Sequence, residues 1–513
     1  MKTYLKIENP GICPTEGFTL LGASTKRDSQ TAIGRFGSGN KHGVNVCLRH
    51  HLSPVVFCGS LKLEFGTRVQ RVNNSEFNRV FVKYGGKDSY GTNRSSTEDL
   101  GYVLEYGATD WLAVDLALRE FISNAIDKAC EEDYCDFWTK WSSENNVILT
   151  DAQKGGIHHD TWVNALKEHL KTATPWENVK IEIVQENQVR AKTGTTRVFI
   201  PINQGVLDFV ENLGKWFLHF SEPELLSQQI LPKNNRNLSG KKSAVIYRRG
   251  VRVREFESSD EESLFDYNLE TLQLDESRQV NDWQVQHHAA HVLCQAGKKK
   301  IGTLIQSFID GKHYWEHSFQ SYPFTDNANK PNVVEAWKSA FIDLAGENAV
   351  ATLADTGEMV ERKGYKRVFV PSAYNDIFKI FGIKTPDAVL SEDDIAGRQI
   401  LTATSAAVQA VDWAWDLIEK LKLTNGEEKP KVKSFIKSMS AGCQTLGYYK
   451  LENKTVYLNM ELVGGETGMS QQLLATALEE CVHHCTKATD GSRDIQDFLF
   501  NMVVLLSKSQ ENK

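Results

Sequence analysis

DWLAVDLALREFISNAIDKACEE, residues 110–132, reads as a long helix with two chemically different sides. Val114, Leu118, Phe121, Ile122, Ala125 and Ala129 recur at helical spacing and predict a face turned to a core. Glu120, Asn124 and Asp127 fall on the opposite side, at i, i+4 and i+7. Such a triplet decorates the solvated side of many amphipathic helices, and on that reading it does no chemistry. The chemical reading needs an acid to orient a water and an amide oxygen to hold magnesium beside phosphates, because magnesium takes hard oxygen ligands.

Upstream, AIGRFGSGNKHG (32–43) crowds glycines ahead of a second helix predicted from about Lys41. That order puts free backbone N–H groups at a helix start, where an anion is stabilised. GRFGSG does not follow a strand directly, as the dinucleotide fingerprint requires, and it lacks the GK[ST] ending of a P-loop. Taken alone, the loop divides evenly between a phosphate cradle and a structural turn. Before it, YLKIEN (4–9) reads as a strand that the NPG at 9–11 ends.

The bounds are those of a folded multidomain chain. At 513 residues it exceeds a single core, and 12 prolines with 41% hydrophobic residues leave little room for disorder. Nine cysteines without paired CxxC spacing predict reduced thiols in a cytoplasmic protein. The start has no apolar core for a signal peptide, and no run of about eighteen apolar residues predicts a membrane span. A formal charge of -7 and a pI near 6.1 give no bulk attraction for nucleic acid. The densest basic stretches, YRRGVRVRE (247–255) and GKKKIG (297–302), read as a charged strand face and a loop.

Four segments together resemble one family. REFISNAIDKA (119–129) is similar to the E-x-x-x-N-A-x-D helical box of the GHKL superfamily, which includes gyrase B, heat-shock chaperones, histidine kinases and MutL. STKRDSQTAIGRFGSGNKHG (24–43) resembles its ATP lid and second glycine box, and TGTTRVFIPI (193–202) the strand that closes its ATP-binding sheet. IENPG (7–11) stands where the family carries its D-x-G element under the adenine, with Glu8-Asn9 in place of the aspartate pair. In the family the Asn-bearing helix precedes the lid, whereas here strand and lid (7–43) come before the helix. A circular permutation that keeps the spatial neighbours reconciles the two orders.

The resemblance implies an α+β chain: a permuted Bergerat-type ATP-binding sandwich over 1–205 with a helical insertion at about 133–176, then a transducer-like α+β domain over 206–295. It implies ATP and Mg²⁺ as ligands. Glu120 would be the general base and Asn124 the magnesium ligand, with Asp127 bracing the site. Glu8 or Asn9 would receive the adenine amino group beside Gly11. Ser24, Lys26, Gly34, Arg35, Gly37, Ser38, Gly39 and Lys41 would wrap the triphosphate, and Thr195 lies on the closing strand. Arg278, in LQLDESRQVNDW (272–283), would sense the γ-phosphate, with pairing to a surface acid as the equal alternative.

The last third, 296–513, is expected to be a zincin-like, mainly helical domain. KTVYLNMELV (454–463) reads as an edge-like strand, and the helix near 471–486 carries Glu479, Glu480, His483 and His484. Glu479 and His483 lie one turn apart with Glu480 adjacent, resembling an H-E-x-x-H zinc helix whose first histidine is a glutamate. Glu479, His483 and Asp494 could hold Zn²⁺ with Glu480 as base; a degenerate, non-catalytic version is the favoured reading. His287 and His291 in QHHAAHVL (286–293) read as helix-surface histidines.

The function expected from these features is a Mg-dependent ATPase acting as a conformational switch on a partner protein, with homodimerisation through the nucleotide domain. An ATP-gated zinc metallopeptidase and a nucleotide-stabilised scaffold are the alternatives. Pairings of such modules in bacteria and their mobile elements associate the chain with phage–host conflict.

Overall fold

The strand expected at YLKIEN is β1 (Thr3–Pro10), and it sits second from one edge of an antiparallel eight-stranded sheet. The computed structural model describes residues 2–20, 33, 39–88, 90–104, 112–145, 147, 159–256, 261–275, 280–353, 356–395, 398–437, 445–460, 470–489 and 492–511. These are mixed α+β and divide into two compact units, Met1–Ala340 and Phe341–Lys513.

In the first unit the other strands are β2 (Val55–Cys58), β3 (Leu61–Val72), β4 (Ser75–Lys87), β5 (Asn93–Arg94), β6 (Thr97–Val103), β7 (Lys180–Gln185) and β8 (Thr195–Pro201). They lie in the order β5-β4-β3-β2-β8-β1-β7, with β6 also paired to β4. Alternation assigns the faces. Leu5 and Ile7 of β1, with Val198 and Ile200 of β8, enter the large core they share with the helices. Tyr4, Phe57, Val184 and Phe199 form a small cluster on the opposite face.

A short turn of helix, α1 (Glu16–Thr19), precedes α2 (Gly39–Arg49); the long helix is α3 (Val114–Glu144). The expected two-sided pattern fails in the first part of α3, where the polar side is buried as well as the apolar one. α2 lies over it: a Cβ on Gly43 would come within 3.0 Å of the Phe121 ring. Glycines four residues apart, Gly39 and Gly43, let the two helices approach this closely.

The segment expected as an insertion contains the second half of α3 and α4 (His159–Thr172). Its small core is aromatic, with Trp138 and Trp162 edge to face at 4.5 Å and Trp141 beside them. HDTW (159–162) starts that helix, and Trp162 buries against α3.

A second sheet in the same unit has strands β9 (Ile230–Pro232), β10 (Val245–Arg248), β11 (Val251–Glu255) and β12 (Phe265–Asn268), ordered β11-β10-β12-β9. YRRGVRVRE forms a hairpin, turning at Arg249 (φ 52) and Gly250 (φ 73), two left-handed residues that match the strand twist. It is not a solvated face: Arg248 and Arg252 are buried, Arg252 against Glu255 and the Arg236 carbonyl.

The second unit carries two sheets besides its helices. β13 (Ala349–Thr352) and β14 (Lys366–Phe369) run parallel. β15 (Arg398–Thr402), β16 (Lys431–Lys437), β17 (Gly447–Lys450) and β18 (Thr455–Asn459) are ordered β15-β16-β18-β17. The strand expected at an edge, KTVYLNMELV, is therefore internal, because β17 pairs with its free side. Helices α5 (Ser405–Lys420), α6 (Gln471–Thr486) and α7 (Arg493–Glu511) share an apolar core with β18. Among the described residues no helix is long and apolar enough to cross a membrane.

Candidate functional site

The site is built where the ends of β1 and β8 and the start of α2 meet α3. Strand alternation separates Glu8 from Asn9. Asn9 is directly opposite Thr196 on the helix-facing side, in step with Leu5 and Ile7. Glu8 faces the other way, where it pairs with Lys192 (2.6 Å), Arg197 (2.9 Å) and Lys6 (3.5 Å). Burial by itself would raise the Glu8 carboxyl; these three cations outweigh it and hold the group low. Of the two expected adenine contacts, only Asn9 is on the side of α3.

The same parity moves the expected threonine by one residue. Thr195 faces outward and donates to the Lys192 carbonyl at 2.9 Å. Thr196 faces the helices, donates to the Gly11 carbonyl at 3.0 Å and accepts the Cys13 N–H at 2.8 Å. Gly11 is left-handed (φ 78), and a Cβ there would overlap the Glu132 carboxylate of α3. Only glycine lets the β1 end approach that helix so closely.

At the other end of the site, Gly39 is the first residue of α2, and a Cβ on it would overlap Glu120 Oε2. Glu120 is 0% exposed, with Arg119 Nη2 3.6 Å from Oε1. The Asn124 amide donates to Asn40 Oδ1 and to the Glu120 carbonyl, each at 2.9 Å. Both its donor bonds are spent inside the protein, so Oδ1 is the atom left for a ligand. Asp127 Oδ1 accepts the Ile33 N–H at 2.7 Å. Lys41, in the first turn of α2, is 1% exposed, and burial pulls its ammonium down to about 8.

The structure thus gathers Glu120, Asn124, Asp127, Gly39 and Lys41 about the contact of α2 with α3, and places Asn9, Gly11 and Thr196 where β1 ends and β8 begins. Ser24, Lys26, Gly34, Arg35, Gly37, Ser38 and Arg278 lie outside the described residues. Sequence reasoning passed over three participants. Asn40 sits inside the glycine stretch. Arg248 belongs to the basic hairpin and donates to the Ile33 carbonyl at 3.4 Å. His219 carries no motif; burial pulls its imidazole down to about 4, and the Asp127 carboxylate pulls the other way.

The zinc candidates are not brought together. Glu479 points to solvent, while His483 donates through Nδ1 to the Ala488 carbonyl at 2.8 Å, closing the end of α6. Asp494 is exposed on α7. His484 is a core residue, accepting from the Tyr449 hydroxyl at 3.0 Å and donating to the Glu428 carbonyl at 2.7 Å. Among the described residues no three His, Cys, Asp or Glu side chains converge as a metal would require.

No protein-family model matches the sequence, and no curated protein is similar to it at a significant level.

Proposed function

We propose that the first unit binds ATP with Mg²⁺ in a permuted Bergerat-type site of the GHKL kind, between α2 and α3, and hydrolyses it. The observation that carries the reading is the packing of Gly39, at the start of α2, onto the buried carboxylate of Glu120, with Asn124 tied to Asn40 alongside. A helix start favours phosphate through its free N–H groups, and a glycine there lets the phosphate chain lie against the backbone. Asn124 Oδ1 is the oxygen that would hold Mg²⁺; the ion, when bound, would neutralise charge on the phosphates. Glu120 would accept a proton from the attacking water, and its burial excludes competing solvent. Lys41 would offer its ammonium to the triphosphate. On this reading occupancy of the site biases a conformation that a partner protein or a second copy recognises.

The test is a titration of the full chain with Mg·ATP, following thermal stabilisation and phosphate release in the wild type, Asn124→Ala and Glu120→Gln. The wild type should be stabilised and release phosphate, Asn124→Ala should lose both, and Glu120→Gln should bind without turnover. A wild type that millimolar Mg·ATP leaves unshifted sinks the proposal.

A further inference from the structure

A serine or threonine inside a helix commonly donates its hydroxyl proton to a carbonyl one turn back. Several in this chain do so. Ser142 donates to the Thr139 carbonyl at 3.1 Å, Ser307 to that of Leu304 at 2.6 Å and Thr486 to that of Val482 at 2.8 Å. Ser123 does not. It is 0% exposed in α3, and among the described residues its Oγ has no hydrogen-bond partner. A buried hydroxyl without a partner is destabilising, and alanine, which fits the same space, would avoid that cost.

The position of the hydroxyl indicates what it serves. Ser123 is three residues after Glu120 and four before Asp127, spacings that put helical side chains on one side. At about 100° per residue, Ser123 stands roughly 60° to one side of Glu120, and Asn124 roughly 40° to the other. The buried acid is therefore flanked by two different groups. On one side is an amide whose donors are committed to Asn40 and to the Glu120 carbonyl; on the other is a hydroxyl with both its donor and its acceptor capacity unused. With Mg²⁺ and the phosphates on the Asn124 side, the Ser123 side is left for the water that attacks the γ-phosphate, because attacking and leaving oxygens stand roughly in line.

We infer that Ser123 is a catalytic residue of the α2–α3 site, its Oγ holding the attacking water jointly with Glu120. The inference rests on the nucleotide reading and adds to it the group that fixes the nucleophile. Glu120 accepts one hydrogen of the water and Ser123 Oγ the other, which turns an oxygen lone pair toward phosphorus. As the new P–O bond forms, the bond from the γ-phosphorus to the β,γ-bridging oxygen breaks and ADP leaves with that electron pair. The Glu120 carboxylate takes one proton of the water, the other stays on the phosphate formed, and Ser123 keeps its own.

The test uses the full chain and compares the wild type with Ser123→Ala and Ser123→Thr in melting temperature without nucleotide, Mg·ATP affinity and phosphate release. Without nucleotide, Ser123→Ala should melt at the wild-type temperature or above it, since the hydroxyl it removes has no bond to lose. Its affinity for Mg·ATP should stay within about twofold of wild type while phosphate release falls about tenfold, the rate equivalent of one hydrogen bond lost from the transition state. Ser123→Thr, which restores the hydroxyl, should recover most of the rate; should it not fold, the alanine result decides. Phosphate release at the wild-type rate in Ser123→Ala overturns the inference and leaves the nucleotide reading standing. A Ser123→Ala chain that melts lower without nucleotide and binds Mg·ATP more weakly also overturns it, because the hydroxyl is then structural. A wild type that binds Mg·ATP without releasing phosphate removes the inference and leaves the binding site. A wild type that does not bind ends the nucleotide reading and the inference with it.

Discussion

Replacing Lys41 with methionine should stabilise the protein and weaken its hold on Mg·ATP. Lys41 is almost fully buried in the first turn of α2, and that burial lowers its ammonium from the ordinary 10.5 to about 8. At pH 7 the group is protonated in both the folded and the unfolded chain, so the native state bears the net cost that burial places on the charge. A fall from 10.5 to about 8, at about 1.36 kcal/mol per pH unit, comes to roughly 3 kcal/mol. Methionine keeps much of the apolar stem, so Lys41→Met should gain about 2 to 3 kcal/mol in urea unfolding at pH 7. The pH dependence has a definite sign. Between pH 8 and 10.5 the unfolded chain still holds a proton that the native lysine has released, so wild-type stability rises across that window and the gap to the variant closes. Saturating Mg·ATP should act the other way, because triphosphate oxygens bring negative charge to the ammonium and favour its protonated form. A tenfold loss of affinity in the variant removes about 1.4 kcal/mol of ligand stabilisation. Unfolding curves at pH 7 and pH 10, with and without Mg·ATP, measure all of this. A variant less stable than wild type at pH 7, or a gap that persists at pH 10, refutes the buried-charge argument; equal stabilisation of both proteins by Mg·ATP removes Lys41 from the site.

Gly39→Ala forces a methyl group against Glu120 Oε2, so it should cost about 1 to 3 kcal/mol and lower phosphate release at least tenfold. Gly17→Ala, where a Cβ meets nothing within 4 Å, is the control, and equal turnover in the two variants would count against the Gly39–Glu120 contact. For His219, burial sets the imidazole at about 4 against an ordinary 6.5, so the unfolded chain binds a proton that the native state refuses. Its contribution is complete above pH 6.5 and is lost as pH falls toward 4, a change of up to about 3 kcal/mol. His317, also held at about 4, acts in the same window, so the diagnostic is the difference between wild type and His219→Phe, which should shrink as pH falls. His484→Ala removes a buried ring with two hydrogen bonds and should cost about 2 to 4 kcal/mol, while a chelator should leave the wild-type melting temperature unchanged. A melting temperature that drops with chelator would support the zinc reading of α6.

The sequence showed local pieces well and their surroundings poorly. The strand at YLKIEN, the helix over Glu120 and the hairpin at YRRGVRVRE follow from alternation, period and turn chemistry, all local properties. Burial of the polar side of α3 is not local. It depends on α2 lying across it, and nothing within residues 110–132 records that contact. Which of Glu8 and Asn9 lies on the helix side could have been read from the alternation: Asn9 keeps step with Leu5 and Ile7, and Glu8 does not. The same parity would have favoured Thr196 over Thr195. The zinc candidates show a different limit of spacing. Spacing along a helix puts Glu479 and His483 on one side, but it cannot say that the histidine is already committed to the Ala488 carbonyl.

Buried polar groups occur elsewhere in the chain, and comparing them shows why the α2–α3 contact stands apart. Glu316 is fully buried, but it accepts bonds from the Ser263 and Tyr267 hydroxyls and the Leu264 and Phe265 amides, and so staples its segment to β12. Arg236 is likewise held between Glu222 and Asp266. In α5, α6 and β18 the packed faces are mostly apolar, with Ala410, Val411, Ala414 and Ile418 against Val456, Leu473 and Ala477. At α2 and α3, by contrast, Lys41, His42, Asn45, Arg119, Glu120, Ser123 and Asp127 are buried together beside a helix start, and glycine stands where a side chain would strike the acid. Apolar residues of similar volume would hold two helices together at lower cost in desolvation. A fold that retains so many charges at one contact, with a lysine shifted against its own ionisation, spends stability there that packing does not require. That concentration, more than any single motif, is why the α2–α3 contact is the place proposed for the nucleotide.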